Sequence, residues 1–151
     1  MSITTGDTIP DFSLPDQHGN DFNITSVKGE KHIVIYFYPK NFTPGCTKEA
    51  CSFRDSYEDF ESLGAVVIGI SSDSKKSHMR FAKKYNLPFI LLSDEKGSVK
   101  RKFGVKNNLL GLLPGRETYV VNKKGKVLYV FNSMNAERHI QKSLDILRKN
   151  A

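Results

Sequence analysis

Two cysteines, Cys46 and Cys51, occur in this chain of 151 residues, and four residues separate them in the stretch TPGCTKEAC. Such a pair can form a structural disulfide, bind a metal ion or act as a reacting redox pair. A metal site is disfavoured, because the four histidines of the chain show no paired ligand spacing. In the purely structural alternative, Cys51 merely fills the core beneath a helix.

The spacing of the two cysteines restricts how they can be joined. In an intact α-helix, residues five positions apart differ by ~7.5 Å along the axis and ~140° around it, so their Cα atoms are ~8.6 Å apart. A disulfide requires Cα atoms within ~7 Å of each other. A bridge between Cys46 and Cys51 therefore requires the first turns of the helix to unwind.

Cys46 follows a predicted buried strand and falls in the first turn of a predicted helix. The N-terminus of a helix carries a partial charge of about +0.5, which stabilises a thiolate, the nucleophilic form of cysteine. Cys51 lies further into the helix and gains less. A more acidic thiol is also a weaker nucleophile. Fast chemistry at Cys46 therefore requires other groups that bind the reacting partner in its transition state.

Three residues could assist the chemistry at Cys46, namely Thr43, Arg116 and Pro39. The Thr43 hydroxyl can both accept and donate a hydrogen bond, and the Arg116 guanidinium can bind a developing oxyanion. Pro39 ends the buried strand and could shield the site from water. Each has a plainer interpretation, which is a helix cap for Thr43, a surface charge for Arg116 and a strand stop for Pro39.

The positions of these residues depend on the elements around them. KHIVIYFYP (31–39) is a continuous apolar run typical of a strand buried on both faces. From Thr47 the apolar residues recur at helical spacing, and Gly64 is a candidate C-cap for this helix. AVVIGIS (65–71) and PFILLSD (88–94) predict two further strands, separated by a helix that Ser74 caps and that places Met79, Ala82 and Tyr85 inward.

The remaining segments complete an alternating order of strands and helices. The sequence predicts a short helix at 98–103, a hairpin of strands 117–122 and 126–131, a final amphipathic helix over 136–149, and an N-terminal hairpin that turns at 17–20. This order predicts a single α/β domain over residues 1–151 with a thioredoxin-like fold. Its central mixed sheet is flanked by helices and preceded by the β-hairpin.

The composition excludes a membrane span, because no apolar run approaches ~20 residues. The first residues lack the pattern of a signal peptide, so we expect a cytoplasmic location. The net charge of +7 is concentrated between Lys75 and Lys106. This basic stretch could bind nucleic acid, but it lacks interleaved aromatic residues and is better interpreted as a solvated helical face.

The stretch FYPKNFTPGCTKEACSFRD (37–55) resembles the active site of the peroxiredoxins, in particular the peroxiredoxin Q or bacterioferritin comigratory protein subfamily. Pro39, Thr43 and Cys46 match the pattern P-x-x-x-T-x-x-C, and Cys51 completes the subfamily spacing C-x4-C. Arg116 lies in the R-x-T context of the family arginine. The resemblance extends over nearly the whole chain.

The resemblance implies a thiol peroxidase without metal or organic cofactor. Cys46 would be the peroxidatic cysteine, oxidised by H2O2 or an organic hydroperoxide to a sulfenic acid. Cys51 would resolve it as an intramolecular disulfide, which a thioredoxin-type reductant reduces again. Thr43 and Arg116 would position and polarise the peroxide, and Pro39 would shield the sulfur. We expect a monomer that binds neither nucleic acid nor membrane.

One rival is a thioredoxin-like disulfide oxidoreductase. Such an enzyme normally carries the motif C-x-x-C, which is absent from this chain. An insulin-reduction assay run beside a peroxide-consumption assay separates the two activities.

Overall fold

A computed structural model describes residues 2–105, 116–132 and 136–150. In these residues, seven strands lie in two sheets, an N-terminal hairpin and a five-stranded mixed sheet. The strands are β1 (Ser13–Pro15), β2 (Asp21–Asn23), β3 (His32–Phe37), β4 (Ala65–Ser71), β5 (Ile90–Ser93), β6 (Glu117–Val121) and β7 (Val127–Phe131). The helices are α1 (Pro44–Asp55), α2 (Tyr57–Ser62), α3 (Lys75–Tyr85), α4 (Ser98–Phe103) and α5 (Ala136–Lys149).

The central strand β3 is buried along its whole length, as its unbroken apolar sequence predicts. In the strand order β5-β4-β3-β6-β7, β3 is parallel to β4 and antiparallel to β6. β5 is also parallel to β4, whereas β6 and β7 form the predicted antiparallel hairpin at the edge. The carboxyl ends of β3, β4 and β5 therefore meet at one edge of the sheet, where chains of this architecture place their sites.

Side chains that alternate along β3 face two separate hydrophobic clusters. Val34, Tyr36 and Tyr38 pack with apolar side chains of α1, α2, α3 and α5, whereas Ile33, Ile35 and Phe37 pack with those of α4 and the N-terminal segment. The sheet is thus covered on both faces. The predicted architecture of a mixed sheet flanked by helices, with a preceding hairpin, is confirmed.

Two details of the helices differ from the sequence-based prediction. The helix expected from Thr47 to Gly64 begins at Pro44 and is interrupted at Ser56, whose φ of −101° and ψ of 7° are not helical. Met79, predicted to face inward, is 48% exposed. His78 and Phe81 are the buried residues of α3, because His78 finds hydrogen-bond partners in the core that helical spacing cannot reveal.

The basic residues of α3 lie on its exposed side, opposite the buried His78 and Phe81. This arrangement fits a solvated amphipathic helix, and Lys106, at the end of the basic stretch, lies outside the described residues. Within residues 2–105, 116–132 and 136–150, no helix has the length and apolar character needed to cross a membrane.

Candidate active site

Cys46 lies in the first turn of α1, directly after the loop that leaves the buried strand β3. Pro44 occupies the first helical position, where its missing N–H costs no hydrogen bond. The first helical bond runs from the N–H of Thr47 to the carbonyl of Thr43, at 2.9 Å. The thiol is only 1% exposed. The predicted place of Cys46 at a helix N-terminus is confirmed.

Arg116 reaches Cys46 from the adjacent strand of the sheet. In the antiparallel register, Glu117 lies opposite Phe37, so the residue before β6 is placed beside the end of β3. The Nη2 group of Arg116 donates to the sulfur of Cys46 at 3.2 Å, and the residue is 3% exposed. The alternative of a surface charge is therefore wrong. A cation in this position stabilises a thiolate.

Gly45 leaves room for the approach of Arg116. A Cβ atom at this position would lie 3.3 Å from the Nη2 atom of Arg116. That distance is tighter than an ordinary van der Waals contact, so a larger residue would press on the guanidinium that bonds to the sulfur.

Glu49 is a functional candidate that the sequence reasoning missed. It lies one turn after Cys46, is fully buried, and accepts a hydrogen bond from Nη1 of Arg116. Burial raises the pKa of Glu49 to about 7, an effect that Arg116 only partly offsets. The sequence did contain one signal for this residue. Glu49 lies beside Ala50 on the apolar stripe of the helix, and a charged side chain in such a position needs a buried partner.

The carboxylate of Glu49 also faces α5. Its Oε2 atom lies 3.9 Å from Nδ1 of His139, and this same ring nitrogen is 2.7 Å from the hydroxyl of Thr118. Among the described residues, Glu49 Oε2, Arg116 Nε and the hydroxyl of Tyr36 are buried without a hydrogen-bond partner. Each such group typically weakens a folded state by about 1–3 kcal/mol. The core beside the first turns of α1 is therefore less stable than one whose polar groups are all hydrogen-bonded.

Thr43 and Pro39 lie on the loop between β3 and Cys46. Thr43 occupies the N-cap position, but its side chain makes no cap hydrogen bond. Its hydroxyl instead donates to the carbonyl of Lys40 at 2.9 Å, so its oxygen retains lone pairs that can accept from another molecule. The plainer interpretation of Thr43 as a helix cap is thus confirmed for its position and main chain, whereas its side chain does not cap the helix.

Pro39 is half-buried and lines a cavity of about 370 Å³ at the carboxyl ends of β3, β4 and β5. The polar residues Ser71, Asp94 and Lys100 also line this cavity. Pro39 thus lies at the edge of the sheet where a small molecule can approach, and its shielding of the sulfur stays a prediction.

Cys51 lies further along the uninterrupted helix α1 and is half-buried, and both thiols are free. The helix is intact between them, which is the geometry in which the spacing forbids a disulfide. Within the part of the chain that the structure describes, no group of three or more potential metal ligands is found.

Comparisons with known proteins agree with this site. A model of the AhpC/TSA family matches residues 5–130. The chain is 53% identical to the chloroplastic peroxiredoxin Q of Sedum lineare over 147 residues, covering 97% of this chain and 78% of the relative. It also resembles the solved structure of peroxidoxin BcpB from Mycobacterium tuberculosis, with a TM-score of 0.91, 41% identity and 99% of both chains covered.

A third relative is similar over most of both chains. The bacterioferritin comigratory protein of Xanthomonas campestris matches with a TM-score of 0.84 and 30% identity, covering 92% of this chain and 91% of that one. Its structure was described in connection with alkyl peroxide reduction.

The predicted cytoplasmic location is contradicted by the plant relatives. The peroxiredoxin Q of Sedum lineare and other plant relatives of about 50% identity are named as chloroplastic. The composition of the first residues did not determine the compartment.

Two findings lead to one assignment. The family model matches most of the chain, and a cysteine at a helix N-terminus accepts a hydrogen bond from a buried arginine. The chain belongs to the AhpC/TSA family and, within it, to the thiol peroxidases of the peroxiredoxin Q type.

Proposed function

We propose that Cys46 is the peroxidatic cysteine of this enzyme, which reduces H2O2 and organic hydroperoxides. The observation that carries the proposal is the hydrogen bond of 3.2 Å from Arg116 to the Cys46 sulfur at the start of α1. The thiolate attacks the terminal oxygen of the hydroperoxide, and the O–O bond breaks. The sulfur becomes a sulfenic acid, and the leaving oxygen departs with a proton as an alcohol or water.

Thr43 and Arg116 are proposed to hold the peroxide during this attack. The Thr43 hydroxyl oxygen accepts a hydrogen bond from the O–H of the peroxide, because its own hydrogen points to the carbonyl of Lys40. Arg116 places a fixed positive charge beside the sulfur, where negative charge is redistributed in the transition state. Pro39 shields the sulfenate from water at the mouth of the site.

Cys51 is proposed to resolve the sulfenic acid. Its thiolate attacks the sulfur of Cys46, the S–O bond breaks, and water leaves after taking up a proton. Because α1 is intact between the two residues in the reduced protein, the segment from Pro44 to Cys51 has to unwind first. Unwinding also separates Glu49 from Arg116, since Glu49 lies between the two cysteines.

The resulting disulfide is proposed to be reduced by a dithiol protein of the thioredoxin type, in keeping with the peroxiredoxin family.

The enzyme is proposed to act as a monomer, because Cys46, Arg116 and Cys51 all come from one chain. Size-exclusion chromatography with light scattering of the reduced and oxidised protein tests this, and a stable dimer in either state would contradict it.

Substitution of each cysteine tests the proposed cycle. Cys46→Ser is expected to abolish peroxide consumption in a thioredoxin-coupled assay. Cys51→Ser is the matched control, because it removes one thiol from the same helix. This variant is expected to complete one round of peroxide reduction and then accumulate sulfenic and sulfinic Cys46, detected by mass spectrometry. Turnover by Cys46→Ser, or a fully reduced Cys46 in the Cys51 variant after peroxide, would contradict the assignment.

A further inference from the structure

The loop that precedes Cys46 is fixed to the core by the side chain of Asn41, a residue that the catalytic proposal does not use. Asn41 is only 3% exposed. Its carboxamide oxygen accepts from the hydroxyl of Tyr38 at 2.6 Å. Its amide nitrogen lies 3.1 Å from the Ser77 hydroxyl, to which it donates, and 2.9 Å from Nδ1 of His78. The carboxamide therefore joins the end of β3 to the first turn of α3.

The hydrogen bonds determine the protonation of His78. Its Nε2 atom lies 2.9 Å from the carbonyl oxygen of Leu92, which can only accept. Nε2 therefore carries the hydrogen, and Nδ1 of the neutral ring accepts from the amide of Asn41. Protonation of Nδ1 would place it against the amide donor of Asn41 and leave the more distant hydroxyl oxygen of Tyr38, at 3.4 Å, as its acceptor. Burial lowers the pKa of His78, and the facing carboxylates Asp73 and Glu95 offset this only in part.

The main chain of Asn41 connects this anchor to Thr43. The N–H of Asn41 donates to Oδ2 of Asp73 at 2.9 Å, and that oxygen also accepts from Ser71 at 2.6 Å. The same planar peptide unit contains the carbonyl of Lys40, which accepts from the hydroxyl of Thr43 at 2.9 Å. Because the peptide unit is planar, the hydrogen bond that orients the N–H of Asn41 also orients the carbonyl of Lys40. The direction of the Thr43 hydroxyl thus depends on the anchor at Asn41.

The conformation of the next residue shows that the loop needs such an anchor. Phe42 has a φ of 65° although it is not glycine, a conformation that is unfavourable for a bulky side chain. Its ring is 46% exposed and packs edge-on against Phe81, with 5.1 Å between the centroids. A strained residue persists only where its surroundings determine the conformation, and here Asn41 precedes it directly.

We propose that Asn41 is a positioning residue for peroxide reduction, acting through the Lys40–Asn41 peptide on the hydroxyl of Thr43. This inference rests on the proposed role of Thr43. Neutral His78 supports the arrangement by accepting from the Asn41 amide, so acidification releases the loop. Cys46 itself need not move for reactivity to fall, because the hydroxyl that receives the peroxide loses its direction.

A double-mutant cycle tests whether Asn41 acts through Thr43. The rate constant of Cys46 oxidation by H2O2 is measured by rapid quench and mass spectrometry in wild type, Asn41→Ala, Thr43→Val and the double variant. Asn41→Ala is expected to slow oxidation by about 10- to 100-fold in the wild-type background. It is expected to have little further effect when Thr43 is already valine. Equal losses in both backgrounds, or a wild-type rate for Asn41→Ala, would overturn the proposal.

The variant His78→Asn provides a second test that does not depend on the stability of Asn41→Ala. Asparagine can place a carbonyl oxygen near the position of Nδ1 without titrating. The two proteins differ only at residue 78, so the ratio of their oxidation rates at each pH isolates the contribution of His78. The wild-type rate divided by the variant rate is expected to fall as the pH decreases from about 6.5 to about 5, and a constant ratio would overturn the proposal. A wild-type protein that leaves Cys46 reduced would instead refute the proposed function itself.

Discussion

The buried carboxylate of Glu49 makes the thiol–disulfide equilibrium depend on pH in a calculable way. In the reduced, folded protein, burial raises the pKa of Glu49 from 4.5 to about 7. In the proposed disulfide form, the segment that contains Glu49 has to unwind, and we expect the pKa of Glu49 to return to the ordinary value. Between pH 4.5 and about 7, the reduced form therefore binds one more proton than the disulfide form at this residue. Raising the pH through this range favours the disulfide.

The size of the effect follows from the two pKa values. The difference between 4.5 and about 7 corresponds to about 3 kcal/mol at ~1.4 kcal/mol per pH unit. For a two-electron couple, this free energy corresponds to a total shift of about 70 mV in reduction potential, at ~30 mV per pH unit. Glu49→Gln removes the titration and preserves an oxygen that can accept from Arg116. The wild-type reduction potential should therefore become more negative, relative to that of the variant, as the pH rises from 4.5 to about 7.

The measurement is a redox titration of both proteins across the range from pH 4.5 to above 7. Each is equilibrated with dithiothreitol buffers in the presence of catalytic thioredoxin, alkylated, and quantified by mass spectrometry. The difference between the two potentials is expected to change by about 30 mV per pH unit below about pH 7 and to level off above it. A difference that stays constant over the whole range would refute the reasoning, since Glu49 would then titrate alike in both states.

Three further substitutions test the site and its support. Arg116→Met removes the donor to the reactive sulfur and is expected to lower the rate constant of peroxide reduction by about 10²- to 10³-fold in stopped-flow assays. Gly69→Ala places a Cβ atom 2.7 Å from the ring of Tyr36 and is expected to lower the free energy of unfolding in urea by about 1–3 kcal/mol. Arg54→Met removes a hydrogen bond of 2.7 Å to the carbonyl of Tyr85 and is expected to increase amide hydrogen exchange at the end of α1.

Each of these substitutions has a control. Arg116→Lys keeps the charge but replaces the two donor nitrogens that reach Glu49 and the sulfur with one ammonium group, so it should recover only part of the rate. Full activity of either Arg116 variant would contradict the proposed role. Gly64→Ala adds a Cβ in open space but at a φ of 70°, whereas Gly69 has no positive φ; the Gly64 variant therefore measures backbone strain without crowding, and the Gly69 variant measures crowding without that strain. Unchanged exchange in Arg54→Met would show that other contacts hold this end of the helix.

The sequence predicted those parts of the fold that local pattern determines. The buried strands, the cap at Ser74 and the final helix over 136–149 lie where periodicity and capping residues predicted them. The contact of Arg116 with Cys46 was expected from the family resemblance, and the antiparallel register of β6 beside β3 produces it.

The remaining features depend on partners that are distant in the sequence. Glu49 and His78 are charged or titratable residues in buried positions, and each is accommodated by a group from another element, Arg116 for the first and the Leu92 carbonyl for the second. Helical spacing marks such residues as surface residues. The non-helical Ser56 was also unpredicted, because the apolar spacing continues across it from Phe53 to Phe60.

The interruption at Ser56 sets the scale of the motion that disulfide formation requires. α2 begins with its own hydrogen bonds to the carbonyl of Ser56, and Phe60 anchors it in the core. Helix–coil transitions are cooperative within one continuous helix, so we expect unwinding that starts at Pro44 to stop at this junction. The proposed redox cycle would then disturb a small cooperative unit with a short relaxation time, and most of the hydrophobic core would stay closed to solvent during every turnover.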